Sequence, residues 1–329
     1  MSARQPSTQE MRYVQAVARA LHDAAAQDER VVFLGEDIAE AEGSFKATRG
    51  LLKAFGPERV RDTPISEASI ASAAVGAALT GLRPVVEIMF MDFITLAMDA
   101  LVNQAAKARF MFGGQGSVPM VLRTPHGGGL SAGPQHSQCL EAWLAHVPGL
   151  KVVCPSNPQD AYSLLRAAIA DPDPVIVVEH KGLYAQKGTV EPRVGRIGEA
   201  RVVRPGRDLT FVTYGATVAT CLQAAEALAN EGVQAEVIDL RSIQPWDEGT
   251  VLASLARTHR AVVVHEAVTA FGVGAEIAAT LSDKGFDELD APVLRVGAPF
   301  MPAPFASSLE QGYGVDVAKV VAAARKVLN

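Results

Sequence analysis

Short apolar runs alternate with helical segments along most of the chain, and this alternation limits the folds that are open to it. Residues 31–34, 85–90 and 175–178 have the length and apolar character of buried strands. Residues 11–26 and 68–79 have the spacing or composition of helices. Strands that alternate with helices are typical of a parallel sheet covered by helices on both faces. The expected fold class is therefore α/β and doubly wound.

The alternation is interrupted between residues 186 and 205, which mix Pro, Gly and charged residues without sustained periodicity. It resumes with a strand at 209–213 and a helix at 217–230. The chain has 329 residues and is 49% hydrophobic, which is enough to build more than one core. We expect two domains, residues 1–185 and a smaller one at 206–329, joined by a linker at 186–205.

Charge and hydropathy exclude several classes of partner. The net charge is −6, and no cluster of Lys and Arg is interleaved with aromatic residues, so nucleic-acid binding is not expected. The amino-terminal segment is polar and acidic where a secretory signal would be apolar. No apolar run reaches membrane-spanning length without a charged or turn residue. We therefore expect a cytoplasmic protein that does not bind membranes.

Glu67 is the first candidate for chemistry. It follows the sequence DTPIS (62–66) and precedes a helix built almost wholly of small residues. A carboxylate at such a dry position has its charged form disfavoured and can exchange a proton with the nitrogen of a bound heterocycle. The alternative is structural, since Ser66 or Glu67 could stabilise the first turn of the helix. The local pattern leaves both interpretations open.

His136 is the second candidate. It lies in the sequence QHSQ (135–138), after a glycine-rich loop (126–133) whose backbone can approach a ligand without interference from β-carbons. An imidazole titrates near neutral pH, which suits proton transfer. A surface or capping histidine is the alternative. The loop matches neither the Walker A motif nor the dinucleotide-binding fingerprint.

Two further clusters have a structural and a functional interpretation. Phe90 and Phe93 flank Asp92 at a strand end and could form an apolar wall for a planar ring, although core packing is the commoner use of such aromatics. The sequence DPDP (171–174) could present oxygens to a hard cation or form a plain turn.

Taken together and in this order, the motifs resemble the β subunit of the thiamine-diphosphate-dependent first component of 2-oxo acid dehydrogenase complexes, in the transketolase superfamily. The matching segments extend over nearly the full length. They are GED (35–37), FKATRGL (45–51), DTPISE (62–67), GLRPVVE (81–87), NQAAKARF (103–110), QHSQ (135–138), PGLKVV (148–153), DPV (173–175) and DAPVLRV (290–296).

The resemblance implies a pyrimidine-binding domain for thiamine diphosphate, followed by a transketolase C-terminal-like domain. It implies that Glu67 bonds the aminopyrimidine ring and promotes the tautomer that deprotonates the thiazolium. It also implies that His136 assists proton transfer or the reductive acylation of a lipoyl group. Phe90 and Phe93 match the place where an aromatic residue packs beside the pyrimidine.

The resemblance further implies partners and ions. The GDG motif that holds magnesium and the diphosphate in this superfamily is missing from the chain. In the heterotetrameric enzymes an α subunit carries it, so we expect an α2β2 tetramer in which Mg²⁺ is held mainly by α. The lipoyl group belongs to an acyltransferase core, the second expected partner. A potassium site is implied at the backbone oxygens of Met120, Ala168, Ile169, Asp171 and Asp173.

The expected function is that of the β subunit of a 2-oxo acid or acetoin dehydrogenase, an enzyme active only with its α subunit. MFMDFI (89–94) and RTPHGGG (123–129) resemble the acetoin-cleaving branch, whereas QHSQC (135–139) also occurs in pyruvate enzymes. Acetoin and pyruvate are the favoured substrates, and branched-chain 2-oxo acids are the alternative. A self-sufficient transketolase-like enzyme and a non-catalytic scaffold are the rival classes.

Overall fold

The computed structural model describes residues 8–329, which form two compact units. The first comprises the chain up to His126 together with Leu144–Ile197, and the second comprises Gly127–Trp143 together with Gly198–Asn329. The chain thus enters the second unit twice, first through a short excursion. Nothing in the hydrophobic pattern of the sequence marks the ends of this excursion.

The first unit is built from short strands and helices in alternation. Its elements up to the excursion are β1 (Gln9–Arg12), α1 (Tyr13–Gln27), β2 (Val31–Gly35), α2 (Leu51–Phe55), β3 (Val60–Asp62), α3 (Glu67–Leu79), β4 (Arg83–Glu87), α4 (Ile94–Asp99), a π-helical turn (Ala100–Ala105), α5 (Ala106–Met111) and β5 (Val121–His126). Helix α6 (Glu141–Ala145) leads back from the excursion. The remaining elements are β6 (Lys151–Val153), α7 (Pro158–Ala170), β7 (Val175–His180) and β8 (Lys187–Val190).

The main strands of the first unit form a parallel sheet in the order β6-β7-β5-β4-β2-β3. Val85 and Val121 join the core that α1 and α7 complete. Their neighbours Val86 and Leu122 are equally buried but lie outside that core. Because successive side chains of a strand point to opposite faces, both faces of the sheet are covered. The predicted doubly wound α/β architecture is confirmed.

The second unit repeats the alternation on a smaller scale. After the excursion its elements are β9 (Arg201–Arg204), β10 (Leu209–Thr213), α8 (Thr217–Ala229), β11 (Ala235–Asp239), β12 (Ser242–Gln244), α9 (Glu248–Thr258), β13 (Ala261–Val268), α10 (Val273–Lys284), β14 (Leu294–Ala298), α11 (Ser307–Tyr313) and α12 (Val317–Leu328). Its five-stranded sheet has the order β14-β13-β10-β11-β9, and only β9 runs antiparallel to its neighbour. Across residues 8–329, no helix is both long and apolar enough to cross a bilayer.

A buried guanidinium connects three neighbouring strands of the first unit. Arg123 of β5 donates two hydrogen bonds of 2.7 Å to Glu179 of β7 and one of 2.6 Å to Glu87 of β4. The hydroxyl of Tyr184 donates to the same Glu179 carboxylate at 2.8 Å. Burial opposes the charge of Arg123, but the two carboxylates outweigh it and raise its pKa. Burial also raises the pKa of Glu87, and Arg123 offsets that effect in part.

Replacing Arg123 with Met should lower the free energy of unfolding by about 3–5 kcal/mol, because both carboxylates would lose their counter-charge in a dry site. Urea-induced unfolding measures this change. Arg325→Gln is the matched control, since it removes a surface ion pair with Glu231 and should move the urea midpoint little. Equal shifts for the two variants would contradict the structural role of Arg123.

His265 of β13 is the buried histidine of the second unit. A β-carbon on Gly272 or Gly274 would lie 2.8 or 2.7 Å from its ring, so glycine makes room for it. Its Nδ1 lies 3.1 Å from the carbonyl oxygen of Ala267, and its Nε2 is buried without a hydrogen-bond partner among the described residues. Burial lowers the pKa of His265 from 6.5 to about 4, and the contact with Ala267 offsets only part of this effect.

Stability should therefore fall on acidification. Since the folded pKa lies below the unfolded one, the unfolded chain takes up this proton first, and the loss develops between about pH 6.5 and pH 4. It amounts to roughly 3 kcal/mol at most. Urea midpoints at a series of pH values measure it. His265→Gln should make the urea midpoint less dependent on pH, whereas substitution of the exposed His22 with Gln should not. An unchanged pH dependence in His265→Gln would contradict the assignment to His265.

Candidate active site

Three candidate residues follow neighbouring strands of the first sheet, at their carboxyl ends. Glu36 comes directly after β2, Glu67 opens α3 after β3, and Phe90 follows β4. Strand β2 lies between β3 and β4, so the order of the strands reverses at this point. Ligands of open α/β sheets bind at such a reversal, outside the carboxyl ends of the strands. The fold thus places these residues where a cofactor is expected.

Glu67 is buried at the amino end of α3, with 6% of its surface exposed. Ser66 is the residue before the helix, but no side chain caps the helix, and the Ser66 hydroxyl donates to Ser69 at 2.8 Å instead. Neither side chain thus caps the helix through a hydrogen bond. A carboxylate in the first turn gains from the helix dipole, which partly compensates for its burial.

Glu36 forms an acidic pair with Glu67. Burial raises the pKa of Glu36 first, and the negative charges of Glu67 and Asp37 raise it further. Its Oε1 is buried and has no hydrogen-bond partner among residues 8–329. Two carboxylates that share a partly dry site cannot both be ionised without cost. The raised pKa of Glu36 therefore favours its protonated form beside Glu67.

An aromatic cluster lies after β4. The rings of Phe90 and Phe93 meet edge to face with centroids 6.0 Å apart, and Phe45 meets Phe90 in the same way at 5.9 Å. The ammonium of the buried Lys181 lies 5.1 Å from the centroid of Phe90. Phe90 and Phe93 are each partly exposed, so they are not simply core residues. The cluster offers an apolar surface to a planar ring.

The residues of the predicted potassium site lie around the carboxyl end of α7. Arg83 donates to the carbonyl oxygens of Ile169 and Asp171 at 2.7 and 3.2 Å. The Met120 carbonyl accepts from the amide of Val175, and the Ala168 carbonyl from that of Asp171.

The two carboxylates of this region are also engaged. Lys151 binds Asp171 at 2.7 Å, and Arg109 pairs with Asp173. Each carbonyl keeps a second lone pair. Lys151 and Arg109 balance the charges of Asp171 and Asp173, so the predicted potassium site depends on these carbonyl lone pairs and stays a prediction.

The glycine-rich loop belongs to the second unit from Gly127 onward, as does His136. Three of the loop's backbone amides, those of Gly128, Gly129 and Ser131, donate to the carboxylates of Glu266 and Glu310 in the same unit. These three amides, which could bind an anion, are thus already occupied by carboxylates of the same unit. His136 follows the loop, is partly exposed, and its amide donates to the Gly133 carbonyl at 3.3 Å.

A cavity of about 530 Å³ lies beside this segment in the second unit. Its polar lining includes Gln135, Ser137, Glu266 and Tyr313, and its apolar wall includes Phe300. Ser137 is buried, and its hydroxyl has no hydrogen-bond partner within the described part of the chain. The residues on both sides of His136 thus line a space large enough for a small ligand.

The sequence patterns did not single out Glu36, Glu266 or Glu310 as functional residues. Glu36 could have been found, because an acid directly after a buried strand lies at the carboxyl edge of the sheet. Glu266 and Glu310 carried no local signal, since the loop that they bind is more than 130 residues away in the chain.

Two family models match the chain. The transketolase pyrimidine binding domain matches residues 9–187, and the transketolase C-terminal domain matches residues 198–320.

Curated relatives are similar over almost the whole chain. The pyruvate dehydrogenase E1 component subunit beta-2 of Oryza sativa subsp. japonica is 44% identical over 97% of this chain and 87% of its own length. The acetoin:2,6-dichlorophenolindophenol oxidoreductase subunit beta of Bacillus subtilis is 44% identical over 95% of this chain and 96% of its own.

A solved structure has a similar fold. It is described as an inactive β4 tetramer of a split-gene transketolase, with a TM-score of 0.80 and 24% identity over 96% of this chain and 97% of that one. At that identity the likeness extends to the fold alone.

Proposed function

This chain belongs to the family of transketolase-type β subunits that includes those of pyruvate dehydrogenase E1 and acetoin oxidoreductase, and we propose that it is the β subunit of a thiamine-diphosphate-dependent dehydrogenase acting on pyruvate or acetoin. The observation that carries the proposal is the acidic pair of the buried Glu67 and the half-buried Glu36 at the strand-order reversal. Such a pair suits proton exchange with an aminopyrimidine ring.

Thiamine diphosphate, when bound, supplies a nucleophilic carbon and an electron sink for carbon–carbon bond cleavage. The chain's residues then have the following tasks. Glu67 would bond a ring nitrogen of the bound pyrimidine and exchange a proton with it, and Glu36 would hold a proton beside it. Phe90 and Phe93 provide the apolar surface against the ring. His136 assists proton transfer when the acyl group passes to a lipoyl group.

The diphosphate end requires a partner. The glycine-rich loop is the segment whose backbone amides suit an anion, but Glu266 and Glu310 already occupy three of them. A diphosphate would have to displace two carboxylates of its own sign. An α subunit that brings the Mg²⁺ and its ligands resolves this conflict, and we propose an α2β2 assembly that passes its product to a lipoyl-bearing acyltransferase core.

The surface beside Glu67 supports a partner at this place. Ile65, two residues before Glu67, is 84% exposed, and the outward face of α3 carries small residues such as Ala68, Ser72 and Gly76. A partner that covered this face would remove the Ile65 side chain from water, which favours assembly. The potassium site and the cytoplasmic location stay predictions.

Three alternatives differ in what they require. A branched-chain 2-oxo acid enzyme would have the same residues, and only turnover with each substrate separates it from pyruvate and acetoin. A self-sufficient transketolase-like enzyme would need a diphosphate site on this chain. A non-catalytic scaffold would need neither Glu67 nor His136.

Binding of thiamine diphosphate should depend on the partner. Calorimetry with Mg²⁺ should give no measurable binding to this chain alone and clear binding to the complex that co-purifies with it, because the diphosphate's ligands come from the second chain. Tight binding to the isolated chain would contradict the divided site. Turnover of pyruvate, acetoin and branched-chain 2-oxo acids by the complex then identifies the substrate.

Glu67→Gln should abolish turnover, by a factor of about 10³ or more, because the amide cannot exchange the proton. Assembly should be unchanged on size-exclusion chromatography, since Gln has the same size. Glu58→Gln is the matched control, as Glu58 is a surface residue whose side chain is 90% exposed. A Glu67→Gln complex with full activity would refute the role of Glu67.

A further inference from the structure

We infer that Glu310, with Glu266, positions the glycine-rich loop and thereby the segment that carries His136. Both are acidic residues of the second unit, distant in sequence from the loop, and neither has a role in the proposed chemistry. The inference adds two positioning residues to the proposed function. Its structural part, the binding of the loop amides by the two carboxylates, does not depend on that function.

The loop has the backbone conformation of an anion-binding site. Gly127, Gly129, Ser131 and Gly133 have φ values of 87°, 90°, 53° and 76°, so every second residue is left-handed. Alternation of this kind turns successive amides toward one side and creates a concave site for a negative charge. A left-handed backbone is sterically unfavourable for Ser131 but not for glycine. A residue other than glycine keeps this conformation only where surrounding contacts stabilise it.

The carboxylate in this concave site is that of Glu310. Its Oε1 accepts from the Gly129 amide at 2.8 Å, and its Oε2 accepts from the Ser131 amide at 2.9 Å and the Ser131 hydroxyl at 3.3 Å. Glu310 is 9% exposed, so its carboxylate is largely removed from water, whereas the donors Gly129 and Ser131 lie at the surface. Both oxygens are engaged, so a group with only one acceptor cannot replace the carboxylate.

Glu266 holds the start of the same loop. Its Oε1 accepts from the Gly128 amide at 2.6 Å. A β-carbon on Gly128 would lie 3.2 Å from Glu310 Oε1 and 3.6 Å from Glu266 Oε1, so this residue lies between the two carboxylates. Glu266 thus binds the amide of Gly128, and Glu310 binds the amides of Gly129 and Ser131.

Further contacts connect the loop to His136. A β-carbon on Gly133 would overlap the ring of Phe305, five residues before Glu310, so the same segment contacts the far end of the loop. The Gly133 carbonyl then accepts the amide of His136. A loop with this much glycine loses more conformational entropy on ordering than other segments, and without the acids it would sample other conformations.

The test is residue-resolved hydrogen exchange of the loop amides in the co-purified complex. Glu310→Gln leaves one acceptor and directs an amide NH₂ toward a backbone donor. We expect the Gly129 and Ser131 amides to exchange faster by about tenfold or more, with a smaller effect on Gly128. Glu266→Gln should give the reciprocal pattern. Glu226→Gln, at an exposed position on α8, is the charge-matched control and should change neither.

A kinetic readout separates positioning from general stability. In the Glu310→Gln complex, kcat for lipoyl acylation should fall about tenfold or more while thiamine-diphosphate affinity and the urea midpoint stay near those of Glu226→Gln. Unchanged exchange at Gly129 and Ser131 would overturn the inference. Faster exchange with unchanged kcat would show that Glu310 orders the loop but would overturn its role in positioning His136. If the complex proves inactive with every substrate, the exchange result still decides the structural part.

Discussion

One buried guanidinium fixes three neighbouring strands of the first unit relative to one another. Arg123 binds Glu87 of β4 and Glu179 of β7 from the strand between them, and the segments that follow these strands lead to Phe90 and Lys181. A guanidinium presents its donors in a fixed plane, so the bonds set the relative positions of the strands as well as holding them together. Apolar side chains of the same volume could supply the stability but not that directional constraint.

Three acidic pairs, each with at least one buried member, differ in what compensates their charge. Glu87 and Glu179 have the Arg123 charge between them, and Glu266 and Glu310 accept hydrogen bonds from backbone amides. Glu36 and Glu67 have neither, because no ion pair of the described residues includes them. A buried acid with neither a counter-charge nor an amide donor lowers stability, and such a cost is typically retained where the proton itself is used. This contrast, rather than burial alone, distinguishes Glu67 as a candidate for catalysis.

Much of the fold could be predicted, because it depends on patterns a few residues long. The strands at 31–35, 209–213 and 235–239 and the small-residue helix are continuous in sequence, and their apolar content specifies them. Glu67 could be singled out in the same way, since a strand, a turn and a helix surround it. The excursion at 127–143 could not, because it joins the second unit through contacts with residues far along the chain.

The sequence by itself determined the class of fold, the position of Glu67 and His136, and the lack of a GDG motif, since each is written in local residue types. Only the tertiary structure decided that Glu36 lies near enough to Glu67 for their charges to interact, and that the glycine-rich loop is already bound by Glu266 and Glu310. The physical reason is that electrostatic energy depends on distance in space. Residues 31 or 181 positions apart become neighbours only when the sheet and its loops have formed.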